Sequence, residues 1–295
     1  MKEFLSTNAY CRRVFGEKVY KIALSGAVSC PNRADGSGGC AFCSEGGSGD
    51  FAVGADESID RAVELAKARL RRKTDAEKFI AYFQSFTGTY GDLSHLEARY
   101  AAAAARADIA ALSIATRPDC LGADVLAMLE RLSKIKPLWI ELGLQTVYDQ
   151  TAQAMGRGYP TEMYDRALAA LRPLGVHIIT HVIFGLPGES TAQMMQTVRY
   201  VGDRSDGIKF HLLHVLRGTR LATMYANGQF QTLEKDAYIH LVVQALEALP
   251  ASTVIHRLTG DAPRQLLISP LWSTDKKGVL NTLRAQAARQ GIRIL

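Results

Sequence analysis

The chain has 295 residues, of which 47% are apolar and 22% charged, with a formal net charge of +6 and an isoelectric point near 9.1. This balance excludes a disordered chain, because there is enough apolar surface to bury a large core. No apolar run approaches the roughly 18 residues of a membrane-spanning helix, and residues 1–21 lack the apolar core of a secretory signal. We therefore expect a cytoplasmic protein with no membrane partner.

Apolar segments of strand length alternate with amphipathic helical patterns along most of the chain. Strands are predicted at 20–24, 79–83, 109–114, 138–142, 176–183 and 207–212. Helices are predicted between them at 59–71, 93–106, 123–132, 161–172 and 191–201. Such alternation indicates repeated βα units and a parallel sheet. It predicts an α/β protein with a partial (β/α)6 TIM-like barrel, although an open doubly wound sheet has the same alternation.

The pattern continues more sparsely in the C-terminal part of the chain. A helix is predicted at 234–248, an apolar stretch at 253–258 and a last helix at 277–290. This part is too small for us to expect an independent domain. We predict a core domain over residues 1–225 and a C-terminal extension over 226–295 that packs on the barrel.

Three of the five cysteines lie in one glycine-rich loop after the first predicted strand. Cys30, Cys40 and Cys43 are separated by nine residues and then by two. A structural zinc ion normally takes four protein ligands, whereas a 4Fe-4S cluster held by three cysteines leaves one iron open. The other two, Cys11 and Cys120, are distant in sequence. We predict a 4Fe-4S cluster bound by the first three, and a zinc-stabilised nucleic-acid-binding protein is the competing class.

The segment from Cys40 to Cys43, with Phe42 before the last cysteine, is similar to the second half of the CxxxCxxC motif of the radical S-adenosylmethionine enzymes. The first gap is wider here, but the phrases CPNR, GGC, FCS and GSGDFA resemble the YhcC/YtqA branch, which is related to the Elongator catalytic subunit. The resemblance implies an open (β/α)6 barrel with the cluster loop after the first strand. It also implies that S-adenosylmethionine binds the open iron and is cleaved reductively to methionine and a 5'-deoxyadenosyl radical. An electron donor such as flavodoxin or ferredoxin is then required.

In barrels of parallel strands, functional side chains collect at the carboxyl ends of the strands. The resemblance therefore implies cofactor contacts there, although Ala115 stands where relatives of the Elongator type have a glutamate. Gln145 and Arg157 match a glutamine and an arginine that hold the carboxylate of the cofactor in related enzymes, and an arginine fork suits a carboxylate. With Phe42, the predicted cofactor-binding residues are Gln84, Ser85, Thr116, Arg117, Gln145, Arg157, His181 and Gly185.

The sixth predicted strand carries Lys209 and His211 two residues apart, and so on one face. Polar side chains within an apolar strand are costly unless they are paired or functional. We predict that both contact substrate or cofactor and that they are the candidates for catalysis. For Glu141 the alternative is a buried ion pair, and for His181 it is a core histidine satisfied by hydrogen bonds.

The substrate is the least determined feature of the sequence. Basic residues gather at Arg12 and Arg13, at 69–73 and near Lys276, which indicates either solvated helix ends or a phosphate-binding surface. The segment 254–267, VIHRLTGDAPRQLL, resembles an Elongator-type segment and is either a substrate-facing lid or a salt-bridged turn. The sequence is compatible with tRNA modification, and a small metabolite or a peptide is the alternative substrate.

Overall fold

The structure is a computed structural model that describes residues 1–34, 36, 38–71 and 74–295. The elements of the first half are β1 (Lys2–Phe4), α1 (Thr7–Phe15), β2 (Val19–Leu24), α2 (Pro31–Ala34), α3 (Ile59–Leu70), β3 (Lys78–Phe83), α4 (Leu93–Ala105), β4 (Ile109–Thr116), α5 (Ala123–Ile135) and β5 (Leu138–Gln145). Those of the second half are α6 (Asp149–Ala154), α7 (Thr161–Leu171), β6 (His177–Phe184), α8 (Thr191–Gly202), β7 (Gly207–Leu212), β8 (Val215–Leu216), α9 (Arg220–Ala226), α10 (Lys235–Ala248), β9 (Val254–Arg257), β10 (Leu267–Ser269), α11 (Lys276–Arg289) and β11 (Ile292–Ile294). Short 3-10 helices occupy Pro118–Cys120, Arg172–Leu174 and Leu271–Thr274.

The central sheet has seven parallel strands in the order β2-β3-β4-β5-β6-β7-β9. The six predicted strands correspond to β2 through β7, and the predicted helices between them are present with ends within a few residues. The seventh strand, β9, arises from the apolar stretch at 253–258 and pairs in parallel with β7. The predicted C-terminal extension thus adds a strand to the sheet of the core, and its β10 pairs antiparallel with β8.

The sheet is strongly curled, as a contact across its inner face demonstrates. The Nζ atom of Lys21 on β2 lies 2.5 Å from Oε1 of Glu141 on β5, three strands away in the sheet order. In a flat sheet those strands would be roughly 14 Å apart, because neighbouring strands are spaced by about 4.8 Å. The partial barrel is therefore confirmed, and the open doubly wound alternative was wrong.

The main apolar core lies between the outer face of the sheet and the helices. Tyr100 of α4, Tyr164 of α7 and Tyr238 of α10 are all fully buried there. Helix starts follow the local sequence, since Ser58 caps α3 and Ser190 forms a capping box at α8. Among the described residues, no helix combines the length and the apolar character needed to cross a membrane.

Helix α1, which the sequence analysis did not predict, closes the amino end of the barrel. It contacts both edge strands, β2 and β9, and so bridges the gap between them. Cys11 on this helix is buried in an apolar cluster with Trp139 and Ile179. The barrel is consequently closed at its amino end, and its cavity opens toward the carboxyl ends of the strands.

Candidate active site

A cavity of about 1390 Å³ occupies the interior of the half-barrel. We call residues 25–58, between β2 and α3, the cysteine loop. All three of its cysteines line the cavity, and the opposite walls come from the strands and from the C-terminal segment. Of the other residues predicted to act here, those that also line it are Phe42, Gln84, Thr116, Arg117, Gln145, Arg157, His181, Lys209 and His211.

Two predicted residues do not line the cavity. Ser85 is buried beneath it, where its hydroxyl is 2.7 Å from that of Ser25. Gly185 has a φ of 89° and packs close to Leu233, so that an added Cβ would lie 3.1 Å from the leucine side chain. Its glycine character is accounted for by that turn and contact. Cofactor contact by Ser85 and Gly185 has no support from their positions.

The cysteine loop is fastened to the loop after β5. The side-chain amide of Asn32 donates to the carbonyl oxygens of Gly156 (2.6 Å) and Arg157 (3.0 Å), and it lies 3.4 Å from the Cys40 sulfur. The Ala41 amide also donates to the Met155 carbonyl oxygen at 2.8 Å. These contacts fix the position of the CxxC turn relative to the strand ends.

The glycine-rich segment after the cysteines packs tightly against the end of β3. A Cβ on Gly47 would lie 2.2 Å from the Phe86 ring, and a Cβ on Gly49 would lie 2.0 Å from the Ser85 hydroxyl. The Gln84 amide also donates to the Ser48 carbonyl oxygen at 2.5 Å. The segment therefore packs closely against the end of β3, and a side chain at Gly47 or Gly49 would clash with it.

The donor set of the loop fits a cluster with three thiolate ligands. Hydrogen bonding between the thiols of the CxxC pair lowers the pKa of Cys43 to about 7 and raises the pKa of Cys40. Soft thiolate ligands are those that iron–sulfur clusters take in proteins. Cys11 lies at the other end of the barrel, and Cys120 follows β4, with its thiol 3.8 Å from an Asp119 oxygen. Among the described residues the three thiols are not gathered into one metal-binding group, so the fit of Cys30, Cys40 and Cys43 to a 4Fe-4S cluster rests on their ligand chemistry and on the cavity wall that they share.

Gln145 presents an unsatisfied polar atom to the cavity. Its backbone has a φ of 65°, in the left-handed region that non-glycine residues seldom adopt. Its side-chain oxygen Oε1 is buried and has no hydrogen-bond partner among the described residues. A buried acceptor of this kind costs free energy unless a ligand satisfies it. Gln145 therefore fits the binding of a donor group of a ligand.

Arg157 has a different environment from the one predicted for it. Its guanidinium donates to the carbonyl oxygens of Tyr159, Leu144 and Thr146, and to the side chains of Asp149 and Thr161. These contacts use all five of its N–H donors. Its side chain is only 3% exposed. Arg157 therefore holds the loop that carries Gln145, and a cofactor contact would require one of these bonds to be exchanged.

Arg117 keeps donor capacity toward the cavity. Its Nε and Nη2 atoms bind the two Asp119 oxygens at 2.9 and 2.6 Å, whereas its Nη1 has no partner among the described residues. The guanidinium lies over the Tyr159 ring, 5.0 Å from its centroid. Thr116, one residue earlier, is hydrogen-bonded to Thr89 at 2.5 Å. Of this pair, Arg117 is the one that can offer a charge-assisted hydrogen bond to a ligand.

Deeper in the barrel, the strands carry a layer of charges centred on Glu141. This carboxylate is fully buried and accepts hydrogen bonds from Lys21, Lys209, His181 and Ser113. Burial alone would raise the pKa of Glu141, but the charges of Lys209 and Lys21 and the His181 hydrogen bond hold it well below its usual range. The alternative considered for Glu141, a buried ion pair, is what the structure contains.

The layer also decides the roles open to the predicted catalytic pair. Lys209 is committed to Glu141, and its side chain is 3% exposed. His211 lies beside His181, with ring centroids 5.0 Å apart, and its Nε2 atom is buried without a partner among the described residues. His211 is therefore free to bind a ligand, whereas Lys209 would first have to leave the carboxylate.

Lys21 and Tyr82 complete this layer, and neither was predicted as a site residue. Lys209 lies 4.2 Å from the centroid of the Tyr82 ring, and Lys21 lies 4.8 Å from it. A lysine inside the apolar strand VYKIAL was the available signal, because a charge facing a barrel interior requires a partner.

Two residues of the basic clusters predicted near Lys276 and at 69–73 border the same cavity, as does Arg264. Arg69 lines it on the side of β2, and Arg264 and Lys276 line it on the side of β9. Arg72 and Lys73 lie outside the described residues. Arg12 and Arg13 are exposed on α1 and do not line the cavity.

Comparisons with known proteins agree along the length of the chain. The profile of the Radical SAM superfamily matches residues 28–201, and that of the Radical_SAM C-terminal domain matches residues 205–289. The chain is 40% identical to the uncharacterized protein YtqA of Bacillus subtilis, over 98% of this chain and 91% of the relative. It is 36% identical to protein YhcC of Escherichia coli, over 90% and 85%.

More distant similarity reaches proteins of the Elongator type. A tRNA uridine(34) acetyltransferase of Methanocaldococcus jannaschii is 26% identical over 54% of this chain but only 29% of its own length. The structure of the archaeal Methanocaldococcus infernus Elp3 superposes with a TM-score of 0.69 at 16% identity, over 94% of this chain and 65% of that chain. The latter comparison supports the fold.

Proposed function

The chain belongs to the radical SAM superfamily, and from this premise we propose that it is a radical enzyme acting on a nucleotide of tRNA. Membership of this superfamily identifies the chain as an iron–sulfur protein and not as a zinc-binding protein. The cofactors of the family are a 4Fe-4S cluster and S-adenosylmethionine. The partners are S-adenosylmethionine and a reductant. When bound, the cluster supplies the electron for reductive cleavage of S-adenosylmethionine.

The residues that would hold these groups follow from the site. Cys30, Cys40 and Cys43 would bind the cluster. Gln145 would accept a hydrogen bond from the amino group of the cofactor, because its buried oxygen has no other partner among the described residues. Arg117 would donate to the cofactor carboxylate through its open Nη1 atom. Arg157 would act by positioning Gln145.

The observation that carries the RNA proposal is the composition of the cavity rim. The cavity lined by the cysteines reaches Arg69 at one edge of the sheet, and Arg264 and Lys276 at the other. Cations on both sides of an opening can bind the phosphates that flank a nucleotide, while its base enters the cavity. The net charge of +6 and the distant similarity to a tRNA uridine(34) acetyltransferase support the same substrate class.

Cellular location and electron supply complete the proposal. Thiolate ligands and an oxygen-sensitive cluster require a reducing compartment, so the enzyme would function in the cytoplasm. A small redox protein such as flavodoxin or ferredoxin would serve as the reductant.

The salt dependence of tRNA binding tests the proposal. Binding to cluster-containing protein should weaken roughly a thousandfold between about 50 and 200 mM salt if six or more phosphates are contacted. Replacing Arg69, Arg264 and Lys276 together by glutamine should reduce the logarithmic salt slope by about two to three. The control is Arg284→Gln with Arg289→Gln, because both arginines are exposed on α11 and lie outside the cavity lining. No measurable tRNA binding at low salt would reject RNA as the substrate.

A further inference from the structure

One arginine in the barrel interior has no counterion among the described residues. Arg257 ends β9, is partly buried and lines the cavity. Its side chain makes no hydrogen bond and no ion pair with any part of the chain that the structure describes. The strand register places it opposite Lys209 on β7. Two like charges at opposed positions repel each other, and Glu141, the anion beside Lys209, is already shared with Lys21.

The carboxylates of the cavity wall are already engaged. Glu141 is bound by two lysines, as described above. The Ser44 hydroxyl donates to the Asp50 carboxylate, whose two oxygens lie 2.9 and 2.8 Å from it, and Asp261 pairs with Lys276 at 2.5 Å. The interior layer therefore holds three cations, Lys21, Lys209 and Arg257, around one carboxylate. The positive charges exceed the negative by two, and Arg257 is the cation that has no carboxylate partner among the described residues.

Two unsatisfied histidine nitrogens lie in the same region. The Nε2 atoms of His211 and His214 are buried and lack partners among the described residues. Both rings approach Gly260, where an added Cβ would lie 3.3 Å from the His214 ring and 3.7 Å from the His211 ring. Burial lowers the pKa of His214 to about 4, so this imidazole is neutral near pH 7 and can donate one N–H.

We propose that Arg257, His211 and His214 form a subsite that binds an oxyanion of the substrate, either a carboxylate or a phosphate. The guanidinium offers a planar fork for two parallel hydrogen bonds, and the imidazoles offer neutral donors from a second direction. The subsite deepens the proposed function and rests on it, because it assigns to the substrate an anionic group held inside the barrel. A bound oxyanion would also supply the negative counterion that the Arg257 guanidinium lacks among the described residues.

The test uses cluster-containing protein without RNA, titrated with inorganic phosphate or with acetate at constant ionic strength set by chloride. A ligand that binds only the folded state raises the thermal midpoint with its concentration. Arg257→Gln should raise the half-saturating concentration by about tenfold or more, the effect of one lost charge-assisted hydrogen bond. Arg257→Lys keeps the charge without the fork and should give an intermediate value. Arg284→Gln, on the exposed face of α11, is the matched control and should behave as wild type.

The two probes separate the two sources of an oxyanion. A shift with phosphate alone supports a nucleotide phosphate, and a shift with acetate supports a carboxylate-bearing substrate. The proposal is overturned if neither anion raises the midpoint, if Arg257→Gln and Arg257→Lys respond as wild type does, or if Arg257→Gln weakens S-adenosylmethionine binding instead. Since no RNA is present, failure of tRNA binding would reject the proposed function without affecting this result.

Discussion

At the rim of the cavity, Gln145 keeps a buried oxygen without a partner among the described residues, whereas deeper in the barrel Glu141 accepts hydrogen bonds from four side chains. Both residues lie on β5, only four positions apart. At the rim, Arg157 uses its hydrogen bonds to shape the loop and leaves the neighbouring glutamine open. In the deeper layer, lysines and a histidine satisfy the carboxylate. A polar side chain in the cavity is therefore not by itself a candidate for ligand binding. The better indicator is whether its polar atoms already have hydrogen-bond partners within the protein.

The largest effect is expected at the cysteines of the rim. Single alanine replacements of Cys30, Cys40 and Cys43 should each abolish iron loading, because three thiolates are the minimum set for the cluster. Iron and sulfide content after anaerobic reconstitution is the measurement. Cys120→Ala should retain the wild-type iron content, and an equal loss in that variant would show that the ligand set is wrong.

Next in size is the loss of Glu141 from the deeper layer. Glu141→Ala leaves Lys21 and Lys209 without their carboxylate and should lower the unfolding free energy by about 3 to 5 kcal/mol. Denaturant unfolding measures this. Glu130→Ala removes the partner of Lys134 in an exposed pair and should cost less than about 1 kcal/mol. Similar losses in both variants would mean that the layer is not a buried ion-pair network.

Acid should weaken the deeper layer before it affects ordinary carboxylates. Burial lowers the pKa of His181 to about 4, against the Glu141 hydrogen bond that raises it, while the unfolded chain titrates near 6.5. The unfolded state therefore binds the extra proton first, and stability present above pH 6.5 is lost as pH falls toward 4.

Between pH 6.5 and 4, His181 should change the unfolding free energy by about 1.4 kcal/mol per pH unit. Unfolding free energies at pH 7, 6 and 5 should give a shallower slope for His181→Gln than for wild type. His240→Gln, at an exposed site on α10, is the control. If the two variants have equal slopes, His181 is charged in the folded protein or is not buried.

The smallest effect separates Gln145 from Arg157 at the rim. Gln145→Ala should weaken S-adenosylmethionine binding about tenfold and change stability little, because its oxygen has no protein partner among the described residues to lose. Arg157→Ala should also weaken binding, with iron content intact, but should in addition lower the unfolding free energy, since Leu144, Thr146 and Asp149 lose donors. Binding isotherms and denaturant unfolding on both variants test this. A stability loss in Gln145→Ala equal to that in Arg157→Ala would remove the distinction.

Sequence reasoning was successful where the signal is local. The alternation of apolar strand and helix patterns predicted β2 through β7, and the spacing of the cysteines with Phe42 predicted the iron–sulfur class. The seventh strand was missed as a strand because β9 has only four residues, although the helix before it, α10, was predicted. Helix α1 was missed because its nine residues give only a brief apolar pattern.

Local sequence patterns were enough to predict the fold class, the family and the three candidate cluster cysteines, because each prediction depends on residues close together in the chain. Which polar side chains remain without partners depends instead on the tertiary structure. Arg157 is satisfied by carbonyl groups of a folded loop, and Glu141 by lysines from strands that become neighbours when the sheet curls. The same curvature leaves the Arg257 guanidinium and the His211 Nε2 atom without partners in the part of the chain that the structure describes. The register and curl of seven strands set these contacts, and residues far apart in sequence carry no local pattern that reveals them.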